Sequence, residues 1–114
     1  MVRDVPRATA VTREAAVVDR IVRWLKGQAP EVYWEKRWGG PYGRAGAPDL
    51  SLCVRGQRVE LEVKRPGGDG PTPSQVAELS RWAAAGAVTG VVRSLEDVRA
   101  IVEPLMGPRV DGEP

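Results

Sequence analysis

Three side chains in the segment GAPDLSLCVRGQRVELEVKR, residues 46–65, are of the types that hydrolyse a phosphodiester. Asp49 heads an apolar run, and Glu62 and Lys64 stand two positions apart beyond a tight turn. Two carboxylates from neighbouring strands, with room for water, suit Mg²⁺ or Mn²⁺. Mg²⁺ takes one or two carboxylates and keeps several waters or phosphate oxygens as further ligands. A lysine two residues past one carboxylate can orient or deprotonate an attacking water, or stabilise the charge developing on phosphorus. A plainer reading stands beside this one. Glu60, Glu62 and Lys64 alternate along one strand, and solvated strand faces often pair Glu with Lys.

Composition narrows the options. The chain has no histidine and a single cysteine, Cys53. The usual zinc sites, the Ser-His-Asp and Cys-His nucleophile systems and an intrachain disulfide are therefore excluded. A metal must be a hard cation held by oxygen. The 114 residues suit one domain, 1–114, with a core over about 12–103, a flexible arm at 1–10 and a loose tail at 107–114. With 42% apolar and 28% charged residues the composition is that of an ordinary soluble domain. No run approaches the ~18 apolar residues of a membrane span, and MVRDVPRATA lacks the apolar stretch of a signal peptide. The expectation is a cytoplasmic protein without membrane contact, and a phage genome is one source that fits. Residues 1–44 carry nine Lys/Arg against five Asp/Glu, whereas residues 94–114 carry two against five, which makes the N-terminal part the candidate nucleic-acid face. Arginine supplies nearly all the positive charge, which suits bidentate phosphate contacts. A GC-rich genome or a hot habitat accounts for the same bias.

The elements that must position these residues can be read in order. Val18, Ile21, Val22 and Leu25 recur at helical spacing, so a helix is predicted over Thr12 to Lys26 with Gly27 as its stop. VYWEKRW, 32–38, is rich in branched and aromatic residues and reads as a strand, followed by the loop GGPYGRAGAP. Strands over 50–54 and 58–64 are joined at Gly56-Gln57, where glycine at the first central position fits a type II′ hairpin turn. Val59, Leu61 and Val63 then face the helices, and the backbone of Asp49 falls opposite the residues near 64. Thr72-Pro73-Ser74-Gln75 has the form of a capping box opening a second helix that Gly86 closes. A strand over 88–93 follows, and Ser94 with Asp97 caps a last helix reaching about Glu103 before Pro104. The fold class is α/β, a mixed central sheet of about four strands flanked by helices in αβββαβα order. Asp69 and Asp97 read as loop and cap residues, and Glu60 as a surface charge.

With Pro48-Asp49 as PD and Glu62-Val63-Lys64 as EXK, the sequence resembles the PD-(D/E)XK nuclease superfamily. Within it the chain is most similar to virus-type replication-repair nuclease domains and small Holliday-junction resolvases. Gly46 before the PD, the Pro-Gly-Gly loop after the lysine and Ser74-Gln75 entering the next helix support the resemblance, which covers about residues 12–102. It implies a restriction-endonuclease-like fold, with Asp49, Glu62 and Lys64 catalytic and a divalent metal on Asp49 and Glu62. It also implies an acidic residue on the first helix. Glu14 matches, as a ligand directly or through water; it lies at the end of the Val18-Ile21-Leu25 stripe, and a favourable acid in a first helical turn explains it equally. Family members place a glutamine near the site where Gln75 stands. Lys36, Arg37 and Arg44, interleaved with aromatics, suit phosphate tracking and base stacking. Together with Arg13 and Gln75 they are the expected DNA contacts. Trp34 and Trp38 share a strand face and equally suit a core or a dimer surface. The function implied is a metal-dependent DNA endonuclease, foremost a homodimeric resolvase of four-way junctions. The alternatives are a nuclease of other branched, nicked or duplex DNA and a non-catalytic DNA-binding module.

Overall fold

A computed structural model of the chain describes residues 6–37 and 45–107, with side chains in the first helix from Glu14 onward. The 1–5 part of the expected arm, Trp38, Arg44 with most of its loop, the 108–114 part of the tail and the side chain of Arg13 lie outside the described residues. The elements are α1 (Pro6–Lys26), β1 (Val32–Lys36), β2 (Leu50–Val54), β3 (Gln57–Val63), α2 (Pro73–Ala84), β4 (Val88–Val92) and α3 (Leu95–Met106). This is the expected αβββαβα order. The sheet runs β1-β2-β3-β4, antiparallel except for the parallel β3/β4 pair that the α2 crossover makes possible.

Helix α1 starts at Pro6, six residues before the predicted boundary. Proline is at home in the first helical position because its missing N–H would have had no partner there. Apolar periodicity reports packing against a core, and the segment before Thr12 carries no such period in the sequence. Helix α3 likewise runs past Pro104 to Met106. Leu105 and Met106 pack on the core, and Arg55 Nη1 donates to the Met106 carbonyl at 2.9 Å. That bond meets one acceptor at the helix end and offsets the lost proline donor.

The hairpin departs from the predicted type II′ turn at Gly56-Gln57. Its central residues are Arg55 and Gly56, at φ +49° and +93°, the pair of positive values that a type I′ turn requires. Leu50 therefore faces Leu61, and Val54 faces Gln57. Compared with the predicted turn, each β2 residue moves two places along β3, which preserves the faces and sets Asp49 beside Glu62 instead of Lys64. Arg55 tolerates the left-handed backbone because its N–H donates to the Glu31 carbonyl at 2.9 Å while its guanidinium reaches α3.

The two sheet faces differ in chemistry. Leu50, Leu52, Val54, Val59, Leu61, Val63 and Val92 meet Ile21 and Leu25 of α1 and Val98 and Val102 of α3 in one apolar core. Each of these side chains contributes about 1.5–3 kcal/mol by leaving water. Trp24 and Trp34 pack on the same cluster. Ser51, Glu60 and Glu62 point to the opposite face, where α2 covers β3 and β4. Among the described residues no helix is long and apolar enough to cross a membrane.

Candidate active site

Asp49 stands one residue before β2, directly after Pro48, whose carbonyl is taken by Arg37 Nη1 at 2.9 Å. The Asp49 side chain meets the facing strand instead: Oδ2 accepts the Val63 N–H at 2.8 Å. The Asp49 carbonyl in turn accepts the Arg37 N–H at 2.8 Å. Glu62, next to Val63 on β3, lies on the same face, with its carboxyl beside that of Asp49.

Glu62 is nearly enclosed, with a side chain 4% exposed. Gln75 Nε2 donates to Oε2 at 3.0 Å, and Lys64 Nζ lies 3.7 Å from the same oxygen. Its other oxygen, Oε1, is buried without a hydrogen-bond partner. Burial pushes the Glu62 pKa up to about 8, reinforced by the charge and nearness of the Asp49 carboxyl and by the charge of Glu14, while Lys64 pulls the other way. With its pKa raised in this way, Glu62 keeps its proton at neutral pH when no metal is bound. A buried carboxylate oxygen lacking a donor, beside a second carboxyl, is a set of hard oxygen ligands that fits Mg²⁺ or Mn²⁺.

Gln75 does two jobs. Its Oε1 accepts the Thr72 N–H at 2.8 Å and its own N–H donates to Thr72 Oγ1 at 3.2 Å, which is the capping box expected of α2. Its Nε2 is thereby aimed at Glu62. Helix initiation and carboxylate orientation are one arrangement, and Gln75 faces Glu62. Glu14 is exposed on α1 and acts on Glu62 from a distance. Among the described residues no group of three or more His, Cys, Asp or Glu is placed to hold a metal, so Asp49 and Glu62 stand as a pair without Glu14 as a third neighbour.

Glu60 corrects the sequence reading most sharply. It is fully buried, and its carboxylate accepts bonds from Arg37 Nη1, Ser51 Oγ and Arg58 Nε, each at 2.6 Å. Burial alone would raise its pKa, but the bonds from Arg37, Ser51 and Arg58 and the charge of Arg37 hold it below the ordinary 4.5. Arg37, expected at the DNA, is turned into this cluster, while Lys36 is half-buried on β1. Trp82 of α2 lies under both guanidiniums, 4.5 Å from that of Arg58 and 5.5 Å from that of Arg37. A signal for the cluster was present in the sequence, since Arg58, Glu60, Glu62 and Lys64 share a face in the charge order plus, minus, minus, plus. Asp97 accepts the Arg93 N–H at 2.8 Å and donates its own N–H to Ser94 Oγ at 3.1 Å, the cap role expected of it.

Neither protein-family models nor curated proteins match the sequence. Solved structures do. One described as "VRR_NUC domain" is 29% identical, with a TM-score of 0.66 over 80% of this chain and 95% of its own. The chain has the fold of a virus-type replication-repair nuclease domain. A second structure, "VRR_NUC domain protein", shares that fold at 19% identity, with a TM-score of 0.63 over 79% of this chain and 84% of its own. The virus-type replication-repair nuclease domain is a PD-(D/E)XK fold, and the match supports a nuclease of that type. Here Pro48-Asp49 leads into β2 and Glu62-Val63-Lys64 ends its antiparallel neighbour β3, which brings the two carboxyls together.

Proposed function

We propose that the chain is a divalent-metal-dependent DNA endonuclease that cuts branched DNA, with the four-way junction as substrate and a homodimer as the active form. The observation that carries the metal-dependent chemistry is the Asp49–Glu62 contact, with Glu62 Oε1 buried and unpartnered. Asp49 and Glu62 would hold Mg²⁺ or Mn²⁺, and such an ion when bound polarises a phosphoryl oxygen and lowers the pKa of water. Val63 N–H and Gln75 Nε2 each fix one oxygen of these two carboxylates, so neither side chain has to find its rotamer when the ion arrives. Lys64, 19% exposed and anchored near Glu62, is placed to orient the attacking water or to carry charge from the phosphorane oxygens. Glu14 would act through water. Attack in line with the 3′ oxygen leaves a 5′-phosphate and a 3′-hydroxyl, as the PD-(D/E)XK resemblance implies.

Junction specificity rests on the similarity to small Holliday-junction resolvases, and the dimer on the need for two symmetric nicks, which a two-fold axis provides. The test is cleavage of labelled four-way junction, flap and linear duplex in Mg²⁺ and in EDTA. Wild type is expected to nick the junction only with metal. Asp49→Asn and Glu62→Ala are expected to abolish nicking and to keep junction binding in EDTA. Junction binding without metal-dependent nicking of any substrate would remove the enzyme reading, and preferential cutting of flap or duplex would reassign the substrate.

A further inference from the structure

Arg37 follows the last residue of β1 and makes bonds by both its backbone and its side chain to the peptide groups around Asp49. Its main-chain N–H donates to the carbonyl of Asp49 at 2.8 Å, and its Nη1 donates to the carbonyl of Pro48 at 2.9 Å. These are the carbonyls on either side of the Asp49 Cα, so the backbone of Asp49 is gripped at both peptides by one residue. Asp49 therefore has little freedom left, because its carboxylate is also tied to the Val63 N–H.

The grip needs an anchor of its own, and Glu60 provides it. Arg37 Nη1 also donates to Glu60 Oε1 at 2.6 Å, which accounts for both hydrogens of that nitrogen. Glu60 is held in turn by Ser51 and Arg58 from the strands on each side of the hairpin. The Trp82 ring closes over the guanidiniums, and the Arg37 side chain is left 24% exposed. Burying the Glu60 carboxylate against Arg37 and the half-exposed Arg58 yields little net stability, since desolvation offsets most of the attraction. What such a network does supply is a fixed geometry.

We propose that Arg37 is a positioning residue for Asp49, anchored by Glu60, and not a contact to DNA phosphate. The pair sets the backbone of Asp49 and hence the direction of its carboxylate toward Glu62. The proposal rests on the reading of Asp49 and Glu62 as the metal site.

The experiment uses the full chain with Arg37→Met and Glu60→Gln, and three readouts. Mn²⁺ affinity is measured by calorimetry, amide exchange by NMR without metal, and junction binding in EDTA over a range of salt. Both variants are expected to lose about 10-fold or more in Mn²⁺ affinity, the usual consequence of removing a support behind a ligand. Both are expected to speed exchange of the Val63 amide about 10-fold. The Lys64 amide, bonded to the Val92 carbonyl, is expected to stay unchanged. Junction affinity in EDTA and its salt slope should match wild type. If Arg37→Met instead reduces the salt slope by about 0.9 and leaves Val63 exchange and Mn²⁺ affinity alone, Arg37 is a phosphate contact and the proposal falls. Should Arg37→Met fail to fold, Glu60→Gln decides, because it keeps the Arg37 charge and weakens only the anchor. Wild-type Val63 exchange and Mn²⁺ affinity in that variant would overturn the proposal. Absence of Mn²⁺ binding by wild type would sink the metal reading, and Val63 exchange would still decide the role of Arg37.

Discussion

Glu60 and Glu62 sit two residues apart on one face of β3, both buried, and their acidities move in opposite directions. The difference lies in the donors each receives. Three donors, two of them cationic, surround Glu60. Glu62 has Gln75 and a looser Lys64 on one oxygen, nothing on the other, and the Asp49 carboxyl against it. In the metal-free protein Glu62 holds its proton between its ordinary 4.5 and about 8, a range in which the unfolded chain has already released it. Its contribution to stability is complete below that range and is lost as pH rises toward 8, at no more than about 1.4 kcal/mol per pH unit. Glu60 has the opposite sign, contributing above the ordinary value and losing it as pH falls through its lowered pKa. Thermal melts in EDTA from pH 3 to 9 are expected to show both arms. Glu62→Gln should flatten the decline between 4.5 and about 8 and leave the acid arm below it. An unaltered decline in that variant would mean that Glu62 does not carry the proton.

The loop before β2 and the start of α2 must touch for the site to assemble, and Gly46 is where they do. A methyl group there would lie 2.6 Å from the Ser74 carbonyl oxygen, at the turn of α2 that presents Gln75 to Glu62. Gly46 is at φ +80° and Gly56 at +93°, so alanine is strained at both, but at Gly56 an added Cβ meets nothing within 4 Å. Comparing the two substitutions separates backbone strain from collision. Gly56→Ala is expected to cost about 1 kcal/mol in a urea melt with nuclease activity intact. Gly46→Ala should cost clearly more and should reduce cleavage as well, because the helix N-terminus must shift and take Gln75 with it. Equal stability losses and intact cleavage in both would show that the loop and α2 are not coupled.

At the scale of the whole molecule, the proposed homodimer with its paired nicks predicts a behaviour that a monomer cannot imitate. Dimers reconstituted from wild type and Asp49→Asn chains carry one competent site, so they are expected to nick one strand of a junction and leave the second intact. Gel analysis under native and denaturing conditions distinguishes the two products. Full resolution by purified mixed dimers would remove the two-site reading, and a monomer in sedimentation both with and without junction would remove the homodimer.

Much of this could be read from the chain alone. The αβββαβα order followed from apolar periodicity and caps, both of which depend on residues a few positions apart. The candidacy of Asp49, Glu62, Lys64 and Gln75 rested on residue type and spacing, together with the resemblance to a nuclease superfamily. Only the tertiary structure could decide what Glu60 and Arg37 do, because they are 23 residues apart in sequence and meet beneath a tryptophan from a third element. Alternation along a strand tells which side chains share a face, and whether that face meets water or a helix depends on where the crossover lands. Register was decided in three dimensions as well: a positive φ at Arg55 moved the turn by one residue and each pairing by two, placing Asp49 beside Glu62. Short-range pattern selects the elements and the chemistry on each face. Long-range packing buries both carboxylates, leaves one oxygen of Glu62 without a donor and surrounds Glu60 with Arg37, Ser51 and Arg58.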